Sequence, residues 1–550
     1  MSATGSSVGP DDIRRLQDTL AAAQRGDLPR AFALAEAALD DGLAHPFLFK
    51  MRALHHEQQG RLEDAVSDFQ SAVADAPNDP AALNALGLCL GRVGRFAESL
   101  AALDGALVLQ PDFATCHANR GWVLENLGEL AGARAAYRRA CAIDPANVRA
   151  LGGLASLAAR SGDGPAARDY ATQALAASPS DPAANLALAM ADLSPEAAAD
   201  AEQRMRGLLA RPDLPVHERG VALSVLGDAL DLQDRTAEAF AAYSAGNAAL
   251  RDLYRTRVGQ PGFEAGSDMT ARLAREFEAA AGDWRARASA SADIGGVRGH
   301  VFLVGFPRSG TTLMGQVLAA HPGAATLDEQ ELLGGAAGAF LTQPGGLDRL
   351  ARLEDGELDP VRRAYWDSIR RAAPDLGDRV LIDKLPMNTL GLPLIARLFP
   401  DARVVFARRD PRDVVLSCFR RQFVINGANW EFLSLDGAAR FYDSVMQLAE
   451  LYRAGLPDLQ VRIQGYEDLV GQFDLQAADL CRFIGLEPAA ELAGFAGRGG
   501  LEDIATPSAR QLGRGLSAEG VGRWRSYRAE LAPVLPRLDP WVARFGYEAE

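Results

Sequence analysis

The sequence has very little lysine. Of its 57 basic residues, only Lys50 and Lys384 are lysines, and the other 55 are arginines. A GC-rich coding bias explains an excess of arginine, and in such a background a persisting lysine is more often needed for its own chemistry. Lys384 is the only lysine in the second half of the 550-residue chain, which marks it as a candidate functional residue.

Cysteine and histidine are also scarce. The five cysteines are scattered and form no CxxC pair, which excludes a disulfide framework and a thiolate zinc site. The seven histidines show no HExxH or HxxxH spacing. The sequence therefore predicts a protein without a metal site.

Long apolar runs are absent as well. No uninterrupted apolar run is long enough to cross a bilayer, so we expect no transmembrane helix. Residues 1–12 lack the charged and apolar regions of a secretory signal, and we expect a cytoplasmic protein. The net charge of −15 argues against nucleic-acid binding. Any anionic ligand would therefore need a local cluster of positive charge.

The first half of the chain contains an internal repeat. The equally spaced Gly26, Gly60, Gly94, Gly128 and Gly162 mark five copies, with a small residue five positions and an alanine twelve positions after each glycine. Glycine permits a sharp turn, the small residues allow helices to approach closely, and a proline of the same period ends most units. This pattern predicts a helix–turn–helix repeat.

The repeat resembles the tetratricopeptide repeat, which has the same 34-residue period. We expect an all-α tetratricopeptide solenoid over residues 12–256, with degenerate helix pairs after residue 180. Such arrays present an extended concave face, which implies a peptide or protein partner. The alternative is that the array only supports the next domain or mediates self-association, and the oligomeric state stays open.

The second half of the chain has a different pattern. Residues 257–299 are predicted to be a linker with one helix, and residues 300–549 a second domain. Short β-branched runs alternate here with helical stretches, which favours an α/β, P-loop-like parallel sheet. The predicted strands are 301–304, 380–382, 404–407 and 460–463. The predicted helices are 311–320, 389–398 and 414–423.

The first predicted strand runs into a glycine-rich loop, residues 305–312, with the sequence GFPRSGTT. The loop has the GxxxxG spacing of a phosphate-binding P-loop, but Thr311 stands where a nucleotide triphosphatase has lysine. Loop amides and a helix N-terminus would hold an anion, and Arg308 adds charge. A ligand with one 5′-phosphate and a further group fits this loop better than a triphosphate does.

Two segments resemble the sulfotransferases that use 3′-phosphoadenylyl sulfate (PAPS). Residues 301–324, VFLVGFPRSGTTLMGQVLAAHPGA, resemble the family's 5′-phosphosulfate loop, and residues 398–413, LFPDARVVFARRDPRD, its 3′-phosphate segment. Residues 403–421 contain six arginines and only two aspartates, which supplies the local positive charge. These motifs resemble those of the tyrosylprotein sulfotransferases and of bacterial repeat-fused sulfotransferases.

The resemblance implies a set of donor-binding residues. Those for the 5′-phosphate and sulfonate are Arg308, Ser309, Gly310, Thr311 and Thr312. Those for the 3′-phosphate are Arg409, Ser417 and Arg421. Three further positions match family residues that contact or close over the nucleotide, namely Tyr466, Ser508 and Arg523.

Two catalytic roles need side chains: a cation at the bridging oxygen and a base for the acceptor hydroxyl. Lys384 follows a predicted strand, at the sheet edge where α/β proteins bind ligands, and it matches the family's catalytic lysine. Glu329 matches the catalytic glutamate of the tyrosylprotein family. Asp328 and Glu331 are alternatives for the base.

The sequence thus predicts an enzyme that transfers a sulfonate group from PAPS, without a metal, to a hydroxyl acceptor. The acceptor could be a protein tyrosine, another peptide hydroxyl, a glycan or a small molecule. The alternatives are a scaffold protein with an inactive transferase-like domain and, less favoured, a P-loop kinase. Because every donor motif follows residue 300, this interpretation predicts that deletion of residues 1–256 leaves donor binding intact.

Overall fold

The computed structural model describes residues 9–258, 260, 263–280, 284, 296–489, 492 and 520–549. The chain divides into two compact units. The first comprises Met1–Leu157 and Pro165–Ala187, and the second comprises Ala158–Gly164 and Leu188–Glu550. The predicted boundaries at residues 256 and 300 stay predictions.

The first unit consists of paired helices that follow the predicted repeat. Gly60 and Gly94 adopt φ values of 74° and 85° in the turns between paired helices, a conformation that favours glycine. The small residues five positions later, such as Ala65 and Ser99, are fully buried where the helices pack. The eleven helices that cover this part of the chain are α1 (Pro10–Gln24), α2 (Leu28–Asp40), α3 (Pro46–Gln58), α4 (Leu62–Asp75), α5 (Pro80–Arg92), α6 (Phe96–Leu109), α7 (Ala114–Asn126), α8 (Leu130–Ile143), α9 (Val148–Ser161), α10 (Gly164–Ala177) and α11 (Pro182–Ala191).

Further helices of the second unit precede its sheet. They are α12 (Ala198–Leu209), α13 (Val216–Asp231), α14 (Thr236–Tyr254) and α15 (Gly266–Ala279). Helices α13 and α14 pair closely: a Cβ atom added at Gly227 would lie 2.4 Å from the Tyr243 ring. Helix α15 is the helix that the sequence predicts within the linker.

A five-stranded parallel sheet forms the centre of the second unit, as the strand–helix alternation predicts. Its strands are β1 (Gly299–Gly305), β2 (Ala324–Asp328), β3 (Val380–Lys384), β4 (Arg403–Arg408) and β5 (Gln460–Gly465). The described strands lie in the order β2-β3-β1-β4-β5, and all neighbours pair in parallel. The strands' carboxyl ends therefore meet at one edge, where an open α/β sheet binds its ligands.

Helices cover this sheet and pack apolar side chains against it. Leu303 of β1, Ile382 of β3 and Val405 of β4 are fully buried in one core cluster with Met314. The described helices after β1 are α16 (Thr311–Ala319), α17 (Gly334–Phe340), α18 (Gly346–Arg352), α19 (Asp355–Ala372), α20 (Leu392–Leu398), α21 (Pro411–Arg420), α22 (Leu435–Gly455), α23 (Tyr466–Gly471), α24 (Phe473–Ile484), α25 (Arg528–Leu531) and α26 (Leu535–Phe545).

Three elements differ from the sequence-based prediction. The helix predicted over 389–398 begins at Leu392, after a 3-10 helix over Pro386–Gly391. The helix predicted over 414–423 begins earlier, because Asp410 caps it by accepting from the Arg412 amide and Pro411 occupies its first turn. It ends at Arg420, so Arg421 lies in extended backbone (φ −103°, ψ 142°). Strand β2 was missed by the prediction, since its sequence AATLD has only one β-branched residue.

Among the described helices, none has both the length and the apolar character needed to cross a membrane. Within the same residues, no group of three or more His, Cys, Asp and Glu side chains could hold a metal ion.

Candidate active site

The loop between β1 and α16 is built on two glycines. Gly310 adopts φ 95° directly before α16, and a Cβ atom there would lie 2.5 Å from Cδ2 of Tyr466. At Gly305 a Cβ atom would lie 2.7 Å from the Ala407 carbonyl oxygen. The backbone of this loop can therefore pass against β4 and α23 only with glycine at both positions.

The residues predicted for the 5′-phosphate and sulfonate lie together at the start of α16. Ser309, Thr311 and Thr312 are all buried, at 2%, 3% and 5% exposure. Arg308 adopts φ 70°, a strained conformation for a residue with a side chain. Backbone strain of this kind is concentrated at functional sites.

Arg308 connects this loop to the residues predicted for the 3′-phosphate. Its Nε atom donates to Oγ of Ser417 at 3.0 Å. Nη1 of Arg409 in turn donates to the Arg308 carbonyl oxygen at 3.2 Å. The two predicted anion sites are thus joined by direct hydrogen bonds.

Positive charge is crowded around Arg308. Burial, together with the neighbouring Arg421 and Arg409 guanidinium groups, lowers the Arg308 pKa to about 10. The Nε atom of Arg409 is buried without a hydrogen-bond partner in the described residues. A bound anion would relieve the repulsion between these cations and could satisfy such a donor.

Tyr466 lies against the guanidinium of Arg409. The Arg409 guanidinium carbon is 4.6 Å from the Tyr466 ring centroid, within the range of a cation–π interaction. Arg409 also donates from Nη2 to the Gly520 carbonyl oxygen. Burial raises the pKa of the Tyr466 phenol, so the ring is neutral beside this arginine. The structure thus brings Tyr466 to the same place as the arginines.

Arg421 and Arg523 are both paired with carboxylates of helix α13. Nη1 of Arg421 lies 2.6 Å from Oδ2 of Asp228, and Nη2 of Arg523 lies 2.5 Å from Oδ1 of Asp231. No sequence motif includes either aspartate, so the sequence did not predict them. Ser508, the remaining predicted donor residue, lies outside the described residues.

Lys384 and Glu329 form an ion pair at the ends of β3 and β2. The Lys384 side chain is fully buried, and its Nζ atom lies 2.9 Å from Oε1 of Glu329. Its aliphatic stem passes α16, where a Cβ atom at Gly315 would lie 3.8 Å from Cγ of Lys384. Lys384, the predicted cation, and Glu329, the predicted base, therefore lie together. The aliphatic part of Lys384 lies next to α16, the helix that begins at the glycine-rich loop.

The two alternative bases differ in position. Asp328 is the register partner of Lys384 across β2 and β3, and its Oδ1 atom also pairs with Nζ of Lys384. Glu331 lies on the exposed surface. Glu329 adopts φ 49°, and its amide donates to the Lys384 carbonyl oxygen at 2.8 Å. Its strained backbone is thus held to the lysine that it pairs with.

Two parts of the chain match models of known protein families. Residues 300–490 match the model of the Sulfotransferase family. This sulfotransferase-family domain contains the loop, Lys384, Glu329 and the arginines of β4 and α21. A tetratricopeptide repeat model matches residues 50–92 and 90–148. The chain therefore combines tetratricopeptide repeats with a sulfotransferase-family domain, which confirms the fold class inferred from the sequence.

Curated relatives match parts of the chain. A Caenorhabditis briggsae protein, named as a candidate protein-tyrosine sulfotransferase, is 33% identical over 24% of this chain and 46% of its own length. The Hsp70-Hsp90 organizing protein of Triticum aestivum is 33% identical over 18% of this chain and 16% of its own length. An uncharacterized protein of Aquifex aeolicus is 24% identical over 44% of this chain and 33% of its own length. The chain thus spans less than half of each relative.

Solved structures similar to this chain include tetratricopeptide proteins. One from Parabacteroides merdae has 16% identity and a TM-score of 0.35, and it covers 44% of this chain and 94% of its own. The thermophilic tetratricopeptide protein TTC0263 of Thermus thermophilus has 24% identity and a TM-score of 0.28, and it covers 33% of this chain and 99% of its own.

Proposed function

We propose that this protein transfers a sulfonate group from PAPS to a hydroxyl acceptor. The observation that carries the proposal is the pair of hydrogen bonds through Arg308, which join the glycine-rich loop to Ser417 and Arg409. Two adjoining anion sites suit a nucleotide that carries separate anionic groups at its 5′ and 3′ positions. The match to the sulfotransferase family supports this choice of reaction.

The donor would be held by the residues that the sequence predicts. The buried hydroxyls of Ser309, Thr311 and Thr312, with the N-terminus of α16, suit the 5′-phosphate and sulfonate. Arg409, Ser417 and Arg421 suit the 3′-phosphate, since guanidinium groups bind phosphate through paired N–H donors. The crowding of cations that lowers the Arg308 pKa favours an anionic ligand here.

The reaction would be an in-line displacement at sulfur. A bond forms between the acceptor oxygen and sulfur while the bond from sulfur to the 5′-phosphate oxygen breaks. Glu329 accepts the proton of the acceptor hydroxyl, and Lys384 stabilises the negative charge that develops on the leaving oxygen. Their ion pair holds both groups at the carboxyl end of the sheet.

For the acceptor, we favour a tyrosine or another hydroxyl of a peptide or glycan. The relative named as a candidate protein-tyrosine sulfotransferase supports a tyrosine. The repeats support a peptide or protein ligand, because such arrays present extended binding surfaces. We place the reaction in the cytoplasm, where PAPS is available.

Calorimetric titration with adenosine 3′,5′-bisphosphate, adenosine 5′-monophosphate and ATP tests the donor assignment. We expect the bisphosphate to bind at least tenfold more tightly than either of the others. Tighter binding of ATP would instead favour a kinase. Transfer of labelled sulfate from PAPS into a cell lysate, followed by mass spectrometry, then identifies the acceptor, and the absence of any labelled product would favour the scaffold alternative.

A further inference from the structure

Helix α13 lies against a cluster of three arginines, Arg420, Arg421 and Arg523. Arg420, which follows Ser417 by three positions, places Nη2 2.6 Å from Oδ2 of Asp231 and 3.4 Å from Oδ1 of Asp228. Arg421 and Arg523 complete the cluster through their own pairs with the same two aspartates. Three guanidinium groups thus share two carboxylates, and one positive charge is left uncompensated within the cluster.

The aspartates are fixed by buried hydrogen bonds. Tyr243 of α14 donates to Oδ1 of Asp228 at 2.8 Å, and Tyr527 donates to Oδ1 of Asp231 at 2.5 Å. The two aspartates are 9% and 7% exposed, so they have little freedom to move. Asp228 and Asp231 are therefore rigid, negatively charged partners for the arginines.

Side chains of α13 and α14 donate hydrogen bonds to backbone carbonyls at the end of α21. The Ser224 hydroxyl donates to the Arg420 carbonyl oxygen at 3.1 Å. Nδ2 of the Asn247 side chain donates to the Phe419 carbonyl oxygen at 2.8 Å. These bonds satisfy acceptors at the C-terminus of α21, directly before Arg421. The position of Arg421 is thus determined by α13 and α14 as well as by its own helix.

The three arginines differ in what they can offer to a ligand. Arg420 is only 12% exposed and is surrounded by the two aspartates and by the rings of Tyr243 and Tyr527. Arg421 and Arg523 retain 28% and 31% exposure. A guanidinium group has five N–H donors. An aspartate that engages one edge of Arg421 or Arg523 therefore leaves other donors for a phosphate.

We propose that Asp228 and Asp231 are positioning residues of the donor site, and that they hold Arg421 and Arg523 in place to bind the 3′-phosphate. This inference rests on the proposed function. It makes α13, which lies well before the sulfotransferase-family domain in sequence, a part of the nucleotide site. Neither aspartate would touch the nucleotide itself.

The sign of the effect distinguishes positioning from competition. If the aspartates position the arginines, their removal releases long flexible side chains, and binding of the 3′-phosphate must then restrict them again. If the aspartates instead compete with the phosphate for the same donors, their removal strengthens binding. Each of the two carboxylates contacts two of the three guanidinium groups and so connects them, and this arrangement favours positioning.

Asp228→Asn and Asp231→Asn test this inference in the full-length protein. Asparagine keeps the shape and one acceptor oxygen but removes the charge. We expect each variant to bind adenosine 3′,5′-bisphosphate about tenfold more weakly. Binding of adenosine 5′-monophosphate, which lacks the 3′-phosphate, should change less than twofold. The ratio of the two dissociation constants is the readout, since partial misfolding of a sample does not alter it.

Glu238→Gln is the matched control. It lies on α14 and removes the same charge, but its partner Arg235 is on the surface and Glu238 itself is 55% exposed. We expect wild-type affinity for both nucleotides. Equal weakening of both nucleotides by Asp228→Asn, unchanged affinity, or tighter binding of the bisphosphate would each overturn the inference. If the wild type itself does not bind the bisphosphate more tightly than the monophosphate, the proposed function is wrong, and this inference is wrong with it.

Discussion

Nζ of Lys384 lies 2.9 Å from Oε1 of Glu329, and the amide of Glu329 donates to the carbonyl oxygen of Lys384 at 2.8 Å. The two residues are therefore connected through both their side chains and their backbones. This double connection sets the distance between the proposed base and the proposed cation. A substitution at either position should affect turnover more than donor affinity.

Glu329→Gln should lower turnover by about 10²–10⁴-fold, because it removes the general base while keeping the side chain's shape. The affinity for adenosine 3′,5′-bisphosphate should stay within about twofold, since the carboxylate is assigned to the acceptor. Steady-state rates and calorimetric titration measure the two quantities. An acceptor with a more acidic hydroxyl should partly restore the rate. Wild-type turnover by Glu329→Gln would show that the general base is Asp328 or Glu331 instead.

Lys384→Arg should also lower turnover, although it keeps the positive charge. The side chain is fully buried, and a planar guanidinium group does not fit where a compact ammonium lies between Asp328 and Glu329. Lys50→Arg is the matched control: the only other lysine pairs with Asp79, far from the proposed chemistry in sequence. A more acidic acceptor should not rescue Lys384→Arg. Equal rates for the two arginine variants would show that Lys384 has no special role.

Arg409→Ala should weaken binding of adenosine 3′,5′-bisphosphate by roughly 10–100-fold, because hydrogen bonds to charged groups contribute about 1.5–3 kcal/mol. Adenosine 5′-phosphosulfate, which lacks the 3′-phosphate, should lose much less. The two dissociation constants give the comparison. Arg409 also packs on Tyr466, and Tyr466→Phe, which keeps the ring beneath the guanidinium, measures what the phenol hydroxyl alone contributes to binding. Equal losses for both ligands would remove Arg409 from the 3′-phosphate site.

Two truncated proteins should show whether α13 and α14 are needed for nucleotide binding. Deletion of residues 1–187 leaves α13 and α14 in the chain, and nucleotide binding should persist. Deletion of residues 1–256 removes both helices, with the Asn247 bond to Phe419 and the 5.2 Å ring contact of Phe240 with Phe419. The longer deletion should therefore lose nucleotide binding, contrary to the simple interpretation of the sequence. Binding by both truncated proteins would show that α13 and α14 are dispensable.

The local features of the fold follow directly from the sequence. The repeat period predicts the paired helices, and the glycine-rich segment 305–310 predicts a loop between a strand and a helix. Lys384 could be singled out because it is the only lysine of the second half. In each case the physical cause acts within a short segment: a glycine conformation, a helical period or a strand end.

The features that the sequence did not predict depend on contacts between distant segments. Asp228 and Arg421 are separated by 193 residues and Asp231 and Arg523 by 292, so no local pattern relates them. The ion pair of Asp328 with Lys384 depends on β2, a short strand at the edge of the sheet whose sequence has weak β-propensity. The aspartate–arginine pairs and the Asp328–Lys384 pair therefore depend on contacts in the folded chain rather than on local secondary-structure propensity.

A buried network between β1, β3 and α19 leads to a prediction about pH. Tyr365 donates to Oδ2 of Asp383 at 3.0 Å, and its hydroxyl lies 2.7 Å from Nε2 of His300. Burial raises the pKa of Asp383 to about 7 and lowers that of His300 to about 3. The two shifts have opposite consequences for stability as the pH changes.

The raised pKa of Asp383 means that the folded protein holds a proton that the unfolded chain releases above about pH 4. This stabilising contribution is present at low pH and is lost as the pH rises towards 7. The lowered pKa of His300 contributes stability above about pH 6.5, which is lost as the pH falls towards 3. Between about pH 4 and 6.5 the two contributions therefore offset each other.

Asp383→Asn should remove one of these two contributions. The free energy of unfolding of the variant should fall steadily as the pH is lowered from 6.5 to 4, because the His300 contribution is no longer offset. The wild type should show a flatter profile over this range and a decrease from pH 6 to 8, which the variant should lack. Urea unfolding at pH 4.5, 6.5 and 8 measures both profiles. The slopes are the readout, since a buried asparagine N–H adds a cost of about 1–3 kcal/mol that does not depend on pH. Parallel profiles for the two proteins would show that Asp383 does not titrate in this range.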